Sequence, residues 1–352
     1  MPMSTPPIVS IVTPVHNGGL FLQECIESVL QQSYGAFECI IVDNASTDET
    51  RAIAESYAAK DGRIRVLSKP AKLSMVDNWN HAMEQVSDSS RYCKVLHADD
   101  LLYPQCLEKM VGLAERNSGI GIVGSLRLRG DRVECDGLPR DREVFSGREV
   151  ARLFIRQEVF GFAPTACLIR SDLVRARRPF YPARYLHTDL AAYFDLLDQV
   201  DFGFIHEVLF FSREHAGSIT TTVAEVRQTL IREWLFLLQD YGLRYFTRAE
   251  LDELEEKHLR RWYRLLVRGA ITGRGRDYLN FHLAGLREAR RTPDARSLGR
   301  AMAAELADAI LHPEKIYRHL QPVSRSASGR NPLKPGNIAF AFPQQPDSNG
   351  KA

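Results

Sequence analysis

Four short apolar runs recur through the first hundred residues, each followed by a stretch with helical spacing. They cover 8–13 (Ile-Val-Ser-Ile-Val-Thr), 37–42 (Phe-Glu-Cys-Ile-Ile-Val), 63–67 and 92–96 (Tyr-Cys-Lys-Val-Leu). Leu22, Ile26, Val29 and Leu30 place a helix over 20–32 between the first two runs. Ser46 and Glu49 have the spacing of a capping box, which predicts a second helix from there through Ala59. A third helix is predicted over 74–86. Strand–helix alternation with a period of roughly 30 residues predicts a parallel α/β sheet. In such sheets ligands bind beyond the carboxyl ends of the strands.

Three of these runs end on polar groups. Thr13-Pro14-Val15 leads to His16 and Asn17, the second run ends on Asp43, and the fourth leads through His97-Ala98 to Asp99-Asp100. A parallel sheet brings all three to one edge. Adjacent carboxylates at the mouth of a buried strand repel each other, and they are tolerated when they face a cation or accept hydrogen bonds. The residues alone leave two readings open: a metal or nucleotide site, or an Asp pair that caps a helix opened by Pro104. No G-x-G-x-x-G follows the first run and no G-x-x-x-x-G-K-[ST] occurs, which argues against a dinucleotide fold and a phosphate-loop nucleotidase.

Composition narrows the class. The chain has 352 residues, 44% hydrophobic, enough for one large or two modest domains. A formal net charge of +2 gives no electrostatic footprint for nucleic acid. The six cysteines are scattered without a C-x-x-C pair, as expected of reduced thiols in a cytoplasmic protein. The first residues do not read as a signal peptide, and no apolar run approaches the ~20 residues of a membrane span. No internal repeat is evident.

The ordered set Val9-Ser10-Ile11-Val12-Thr13-Pro14-Val15-His16-Asn17, then Ile41-Val42-Asp43-Asn44-Ala45-Ser46-Thr47-Asp48, then His97-Ala98-Asp99-Asp100 resembles the family 2 glycosyltransferases. The resemblance covers roughly residues 7–220. It implies a GT-A sheet that binds a nucleotide sugar and is flanked by helices, and inverting sugar transfer from a nucleotide-diphosphate sugar, a UDP-sugar by preference. It further implies that Pro14, Val15, His16, Asn17, Asp43, Asn80, Asp99 and Ser218 line the donor. Asp99 and Asp100, with His215 from an Arg-x-His…Gly-Ser segment, would hold Mn2+ or Mg2+ at the diphosphate. Asp43 would read the base, or else is a turn residue after its strand. His97 stands where many members carry Asp, and Trp79-Asn80 where many carry Arg-Asn. The missing Arg leaves Lys69, Lys72 or Lys94 as a phosphate-facing cation.

In the second half, a strand is predicted over 120–128, a surface loop or hairpin over 130–139, and a capped helix from Ser146-x-x-Glu149 to Arg156. Residues 160–169 resemble an acceptor-side segment; a bent buried strand is the alternative. Asp189 matches the family's acidic residue ahead of a helix, which implies a general base for the acceptor hydroxyl. The alternatives are a dipole-complementing helix start, with His187 as the base. From 223 to 320 the pattern is helical, including a Thr247–Glu250 capping box, and residues 322–352 lack apolar periodicity. The expected division is therefore a glycosyltransferase domain over 1–220, a helical appendage over 221–320 and a disordered tail over 321–352.

The acceptor expected is a glycan or a lipid-linked hydroxyl. Residues 257–268 form a basic amphipathic stretch, with Leu259, Trp262, Tyr263 and Leu266 on one face and Arg260, Arg264 and Arg268 in an i, i+4 stripe. That stripe is either a solvated face over a helical core or a peripheral contact with the inner face of a membrane. Two other functions stay open: a nucleotidyltransferase, and a catalytically inactive sugar-nucleotide-binding or scaffold protein.

Overall fold

The computed structural model describes residues 6–159, 164–215 and 225–311. It divides into two compact units, one ending at His215 and one beginning at Ala216.

The first unit runs β1 (Ile8–Val15), α1 (Gly19–Leu30), β2 (Phe37–Asp43), α2 (Thr50–Ala58), β3 (Ile64–Ser68), α3 (Met75–Met83), β4 (Ser90–Val95), β5 (Leu101–Leu102) and α4 (Cys106–Arg116). It continues with β6 (Ile120–Arg129), β7 (Arg132–Glu134), β8 (Val144–Ser146), α5 (Gly147–Ile155), β9 (Leu168–Arg170), α6 (Ser171–Arg175), α7 (Thr188–Leu197) and β10 (Asp201–Ser212). The strands form one sheet in the order β3-β2-β1-β4-β9-β6-β10-β5, with β7 beside β6 and β8 beside β10. The first four are parallel, as the alternation predicts. Beyond β4 the sheet is mixed, because β9 inserts antiparallel between β4 and β6. Val9, Ile11, Val12, Ile40, Ile41 and Val42 are fully inaccessible. Near-continuous apolar runs of this kind mark strands covered on both faces.

The order of these strands locates the site. The chain leaves β1 for β2 and β3 on one side, then returns through β4 on the other. The β1/β4 boundary is therefore a topological switch point, where a crevice opens beyond the strand ends. Pro14 lies inside β1, so the strand runs two residues further than predicted. A central strand tolerates a proline only where no partner needs its N–H. On the β4 side the ladder ends with the Leu96 N–H donating to the Val12 carbonyl at 3.0 Å. The position where Pro14 lacks a donor comes after that last bond.

Two helix starts also differ from expectation. Pro104 sits in a turn closed by Cys106 N–H to Tyr103 O at 2.9 Å, and α4 begins at Cys106. The Ser46–Glu49 box does not form. The Ser46 hydroxyl accepts the Asn17 N–H at 2.9 Å, and α2 starts at Thr50, whose N–H goes to Asp48 Oδ1 at 3.1 Å. Joining the loops after β1 and β2 takes the Ser46 hydroxyl that the box needs. Ser146 caps α5 through the Glu149 N–H at 3.1 Å, and residues 129–132 turn between β6 and β7 as a hairpin.

All six cysteines are buried free thiols. Burial pushes Cys39 and Cys93 up to about 12, so neither forms a thiolate near neutral pH.

The second unit is helical as predicted: α8 (Glu225–Arg227), α9 (Leu230–Tyr245), α10 (Arg248–Ile271), α11 (Arg276–Glu288) and α12 (Ala295–Leu311). The Thr247–Glu250 capping box is complete, at 2.9 and 3.3 Å. The proposed tail lies outside the described residues.

The place of Trp262 in the basic stretch is corrected. Trp262 is fully buried and donates from Nε1 to His282 Nδ1 at 3.1 Å, and burial pushes His282 down to about 4, so that ring stays neutral. Arg264 and Arg268 both grip Glu305 of α12, at 2.6 and 2.8 Å, while Arg260 pairs with Glu256. The aromatic is core rather than an interfacial anchor, and the three arginines bond within the unit while staying part-exposed. No helix among the described residues is long and apolar enough to cross a membrane.

Trp262→Ala is expected to destabilise the helical unit by about 3–5 kcal/mol. Arg260→Ala, which removes only an exposed i, i+4 pair, should stay within about 0.5 kcal/mol. Denaturant titration followed by circular dichroism of the full chain checks both.

Candidate active site

The loops after β1 and β2 are tied into one rim. His16 Nδ1 lies 2.9 Å from the Asn44 carbonyl, and Asn17 Oδ1 accepts the Thr47 N–H at 2.9 Å. Asn17 and Ala45 both take left-handed φ, 52° and 54°, which lets these short loops turn back toward each other. The Asn44 carboxamide bonds the Leu73 N–H and C=O at 2.7 and 3.1 Å, which brings the loop after β3 to the same rim. Pro14 and Val15 are buried in β1. Asp43 is only 2% exposed, and its Oδ1 accepts the Ser46 N–H at 3.1 Å.

The carboxylate pair lies beyond β4, where a turn closes through Asp100 N–H to His97 O at 3.0 Å. The two carboxylates face different surroundings. Asp99 Oδ2 meets His215 Nε2 at 3.0 Å, and its backbone carbonyl accepts Arg213 Nε at 3.3 Å. Arg213 pairs with Glu24 and lies 4.8 Å over the Phe21 ring, which also packs on His215 at 4.8 Å. Asp100 is buried and accepts hydrogen bonds from the Thr165 and Ser212 hydroxyls. Burial, then the neighbouring Asp99 charge, raises its pKa, and His97 opposes the rise.

Asp189 is the second residue of α7. Its residue surface is part-exposed, yet its carboxyl is deep enough among protein that burial raises its pKa, opposed first by His187 and also by His97. His97 therefore acts electrostatically on both Asp100 and Asp189. The His97 ring stands edge-on to Trp79 at 5.1 Å, and Trp79 meets Tyr181 at 5.7 Å.

The Asn80 carboxamide bonds both the N–H and the C=O of Tyr181, at 2.7 and 2.9 Å, so it fixes that aromatic contact. Lys94 is corrected outright. It is fully buried and donates to the Thr165 and Cys167 carbonyls, so it cannot face a phosphate in solution. Lys69 and Lys72 lie on the loop after β3, and neither forms an ion pair among the described residues. Ser218 and residues 160–163 lie outside the described residues.

Sequence reading gave no role to Thr165, Ser212, Trp79 or Tyr181, although Thr165 lies in the 160–169 segment it singled out, Ser212 directly precedes the Arg-x-His segment and Trp79 adjoins Asn80.

Among the described residues no three His, Cys, Asp or Glu side chains form a ready-made metal cage. Mg2+ and Mn2+ do not need one, since such ions are commonly held by one or two carboxylates plus phosphate oxygens and water. Asp100 fits that role. It is a buried carboxylate beside a second one, with the Thr165 and Ser212 hydroxyls at it, and no lysine or arginine among the described residues forms an ion pair with it. Asp99, Asp100 and His215 would hold the ion.

In EDTA, Asp100→Asn should raise stability, because it removes a buried like charge while keeping an oxygen for Thr165 and Ser212. The expected gain is on the order of 1 kcal/mol, or about 2–4 °C in Tm. Scanning calorimetry of both proteins checks it, and a lower Tm for the variant contradicts the assignment.

Residues 10–178 match the family model described as Glycosyl transferase family 2. EpsE of Bacillus subtilis is 35% identical over 124 residues, which is 35% of this chain and 44% of that protein. The glycosyltransferase GlyG of Streptococcus pneumoniae is 27% identical over 118 residues, 34% of this chain and 38% of that protein. TuaG of B. subtilis is 34% identical over 140 residues, 39% of this chain and 52% of that protein. The chain thus spans about half or less of the length of these relatives. A crystal structure of S. aureus TarS 1-349 with UDP-GlcNAc shares the fold at a TM-score of 0.60 and 14% identity, covering 80% of this chain and 81% of that one. The mannosyltransferase PcManGT of Pyrobaculum calidifontis, with GDP-Man and Mn2+, shares it at 0.54 and 15% identity, covering 90% and 85%. The strand-end carboxylates thus sit on a GT-A fold, and residues 10–178, just under half of the chain, match glycosyl transferase family 2.

Proposed function

We propose that the chain transfers a sugar from a UDP-sugar, with inversion, to a hydroxyl of a glycan or lipid-linked acceptor. What supports this reading is the Asp99-Asp100 pair beyond β4, with His97 acting electrostatically on Asp100 and, separately, on Asp189. Asp43, at the end of β2, accepts the imide N–H of uracil, and the His16–Asn17 rim lies along the nucleoside. Asp99, Asp100 and His215 hold the cation. A bound Mg2+ or Mn2+ supplies Lewis-acid charge at the departing diphosphate. Asp189 takes the proton of the acceptor hydroxyl, with His187 beside it as the second choice of base.

The neighbouring structures support the donor class: the TarS structure contains UDP-GlcNAc, and the PcManGT structure contains GDP-Man and Mn2+. TuaG is described in terms of teichuronic acid biosynthesis, which supports a polysaccharide of the cell envelope as the product. Six buried free thiols fit action in the reducing cytoplasm.

Thermal shift against UDP-, GDP-, dTDP- and CMP-sugars, with and without Mn2+, tests the donor. The expected result is stabilisation by UDP-sugars that needs the cation. Donor binding with neither transfer nor hydrolysis would instead support a sugar-nucleotide-binding protein.

Asp189→Asn should lower kcat about 10²–10⁴-fold and leave UDP affinity nearly unchanged. Because burial raises the Asp189 pKa while His187 and His97 oppose it, the base should lose its function as pH falls through a value above the usual ~3.9 of aspartate. The acid limb of the kcat profile reads this value. A variant with full kcat would move the base elsewhere.

A further inference from the structure

Lys94 is an ammonium with no contact to solvent and no carboxylate partner among the described residues. Its backbone is locked in β4 between Ile11 of β1 and Leu168 of β9. Its Nζ donates to the Thr165 carbonyl and, at 3.3 Å, to the Cys167 carbonyl, and it sits 5.7 Å over the Phe210 ring. An ammonium held this way is costly, because two carbonyls and a ring replace its hydration. An apolar side chain would fill the same place but leave the Thr165 and Cys167 carbonyls without this donor, so the charge serves the backbone that carries them.

The reason lies one residue along the contact. Thr165 is itself 1% exposed and belongs to the 3-10 turn Pro164–Ala166. Its carbonyl is held by Lys94 and its hydroxyl donates to the Asp100 carboxylate. Of the two hydroxyls on Asp100, Ser212 is carried by the long strand β10, while Thr165 depends on a three-residue turn. That turn has a few hydrogen bonds of its own, including Cys167 N–H to Pro164 O at 3.2 Å. Lys94 bonds the carbonyls on both flanks of Ala166, which is how one side chain can fix the rotation of such a turn.

We propose that Lys94 is a positioning residue, which locks the Pro164–Ala166 turn so that the Thr165 hydroxyl aims the Asp100 carboxylate at a diphosphate-bound divalent cation. The inference rests on the donor-site reading above. It predicts that removing the ammonium weakens the cation-dependent part of nucleotide binding and spares the rest, because Asp43 and the His16–Asn17 rim do not depend on this turn.

Calorimetry of UDP binding to the full chain, in Mn2+ and in EDTA, tests it. In wild type the ratio of the two affinities measures the cation-dependent part. Lys94→Met is expected to reduce that ratio about tenfold or more while changing the EDTA affinity less than twofold. Thr165→Val should reduce it similarly, and it leaves the ammonium and the backbone carbonyl in place, so it reads the same path even if Lys94→Met fails to fold. The double variant should be no worse than Lys94→Met alone, because the two act through one contact. A full wild-type ratio in a folded Lys94→Met or in Thr165→Val overturns the inference alone. An equal loss in Mn2+ and in EDTA overturns it too, since that is what a merely structural lysine would give. No Mn2+ enhancement in wild type overturns the donor-site reading, and the inference with it.

Discussion

The arrangement of the site depends on where the β1–β4 ladder stops. Its last bond joins Leu96 to Val12 at 3.0 Å, and Pro14 then offers no donor on that side. From this point the two strands part. β1 continues alongside β2 to the Val15–Asp43 register, while the chain after β4 bends through His97 to the carboxylate pair. Because β1 has parallel partners on both sides and the chain reverses direction of winding around it, the gap falls at a switch point that ligands can enter. The rim is then held by short polar ties, His16 to Asn44, Asn17 to Thr47 and Asn44 to Leu73, rather than by apolar packing.

Charge is concentrated where it is least comfortable. Asp100 and Asp189 are both raised by burial, and both are eased by the same His97. Carboxylates in these surroundings reduce stability, and the inaccessible apolar runs of β1 and β2 offset that cost. Perturbed acids gathered in a crevice are a recurring property of functional sites. The histidine at position 97, where many family members carry a carboxylate, reduces the like-charge repulsion at this crowded point. This gives the departure a physical consequence within the chain.

Much of this was legible in the sequence wherever the signal was local and periodic. Period-two and apolar runs marked the strands, and Asp43, Asp99 and Asp100 follow the carboxyl ends of parallel strands β2 and β4, as that reading expected. Asp189, singled out by resemblance as an acid ahead of a helix, is the second residue of α7. Errors arose where a side chain had a distant competitor. Ser46 had the spacing of a cap, but the Asn17 N–H took its hydroxyl. Lys94 had the charge for a phosphate, but it lies on the covered face of β4 under Thr165. Trp262 and its arginines had the pattern of a membrane face, but His282 and Glu305, 20 and 37 residues away from Trp262 and Arg268 respectively, claimed them. Such contacts have no sequence periodicity. The turn bearing Thr165 and the Asn80–Tyr181 pair, separated by 101 residues, were invisible for the same reason.

The central claim is that Asp99 and Asp100 hold a divalent cation against a nucleotide diphosphate beyond the ends of β1 and β4. A crystal structure of the full chain grown with UDP and Mn2+, with diffraction collected at the manganese edge, tests this most directly. The account predicts one anomalous peak in contact with a carboxylate oxygen of this pair and with diphosphate oxygens, and uracil at Asp43. Bound UDP without a peak at the pair, or a manganese peak remote from both carboxylates, would contradict it.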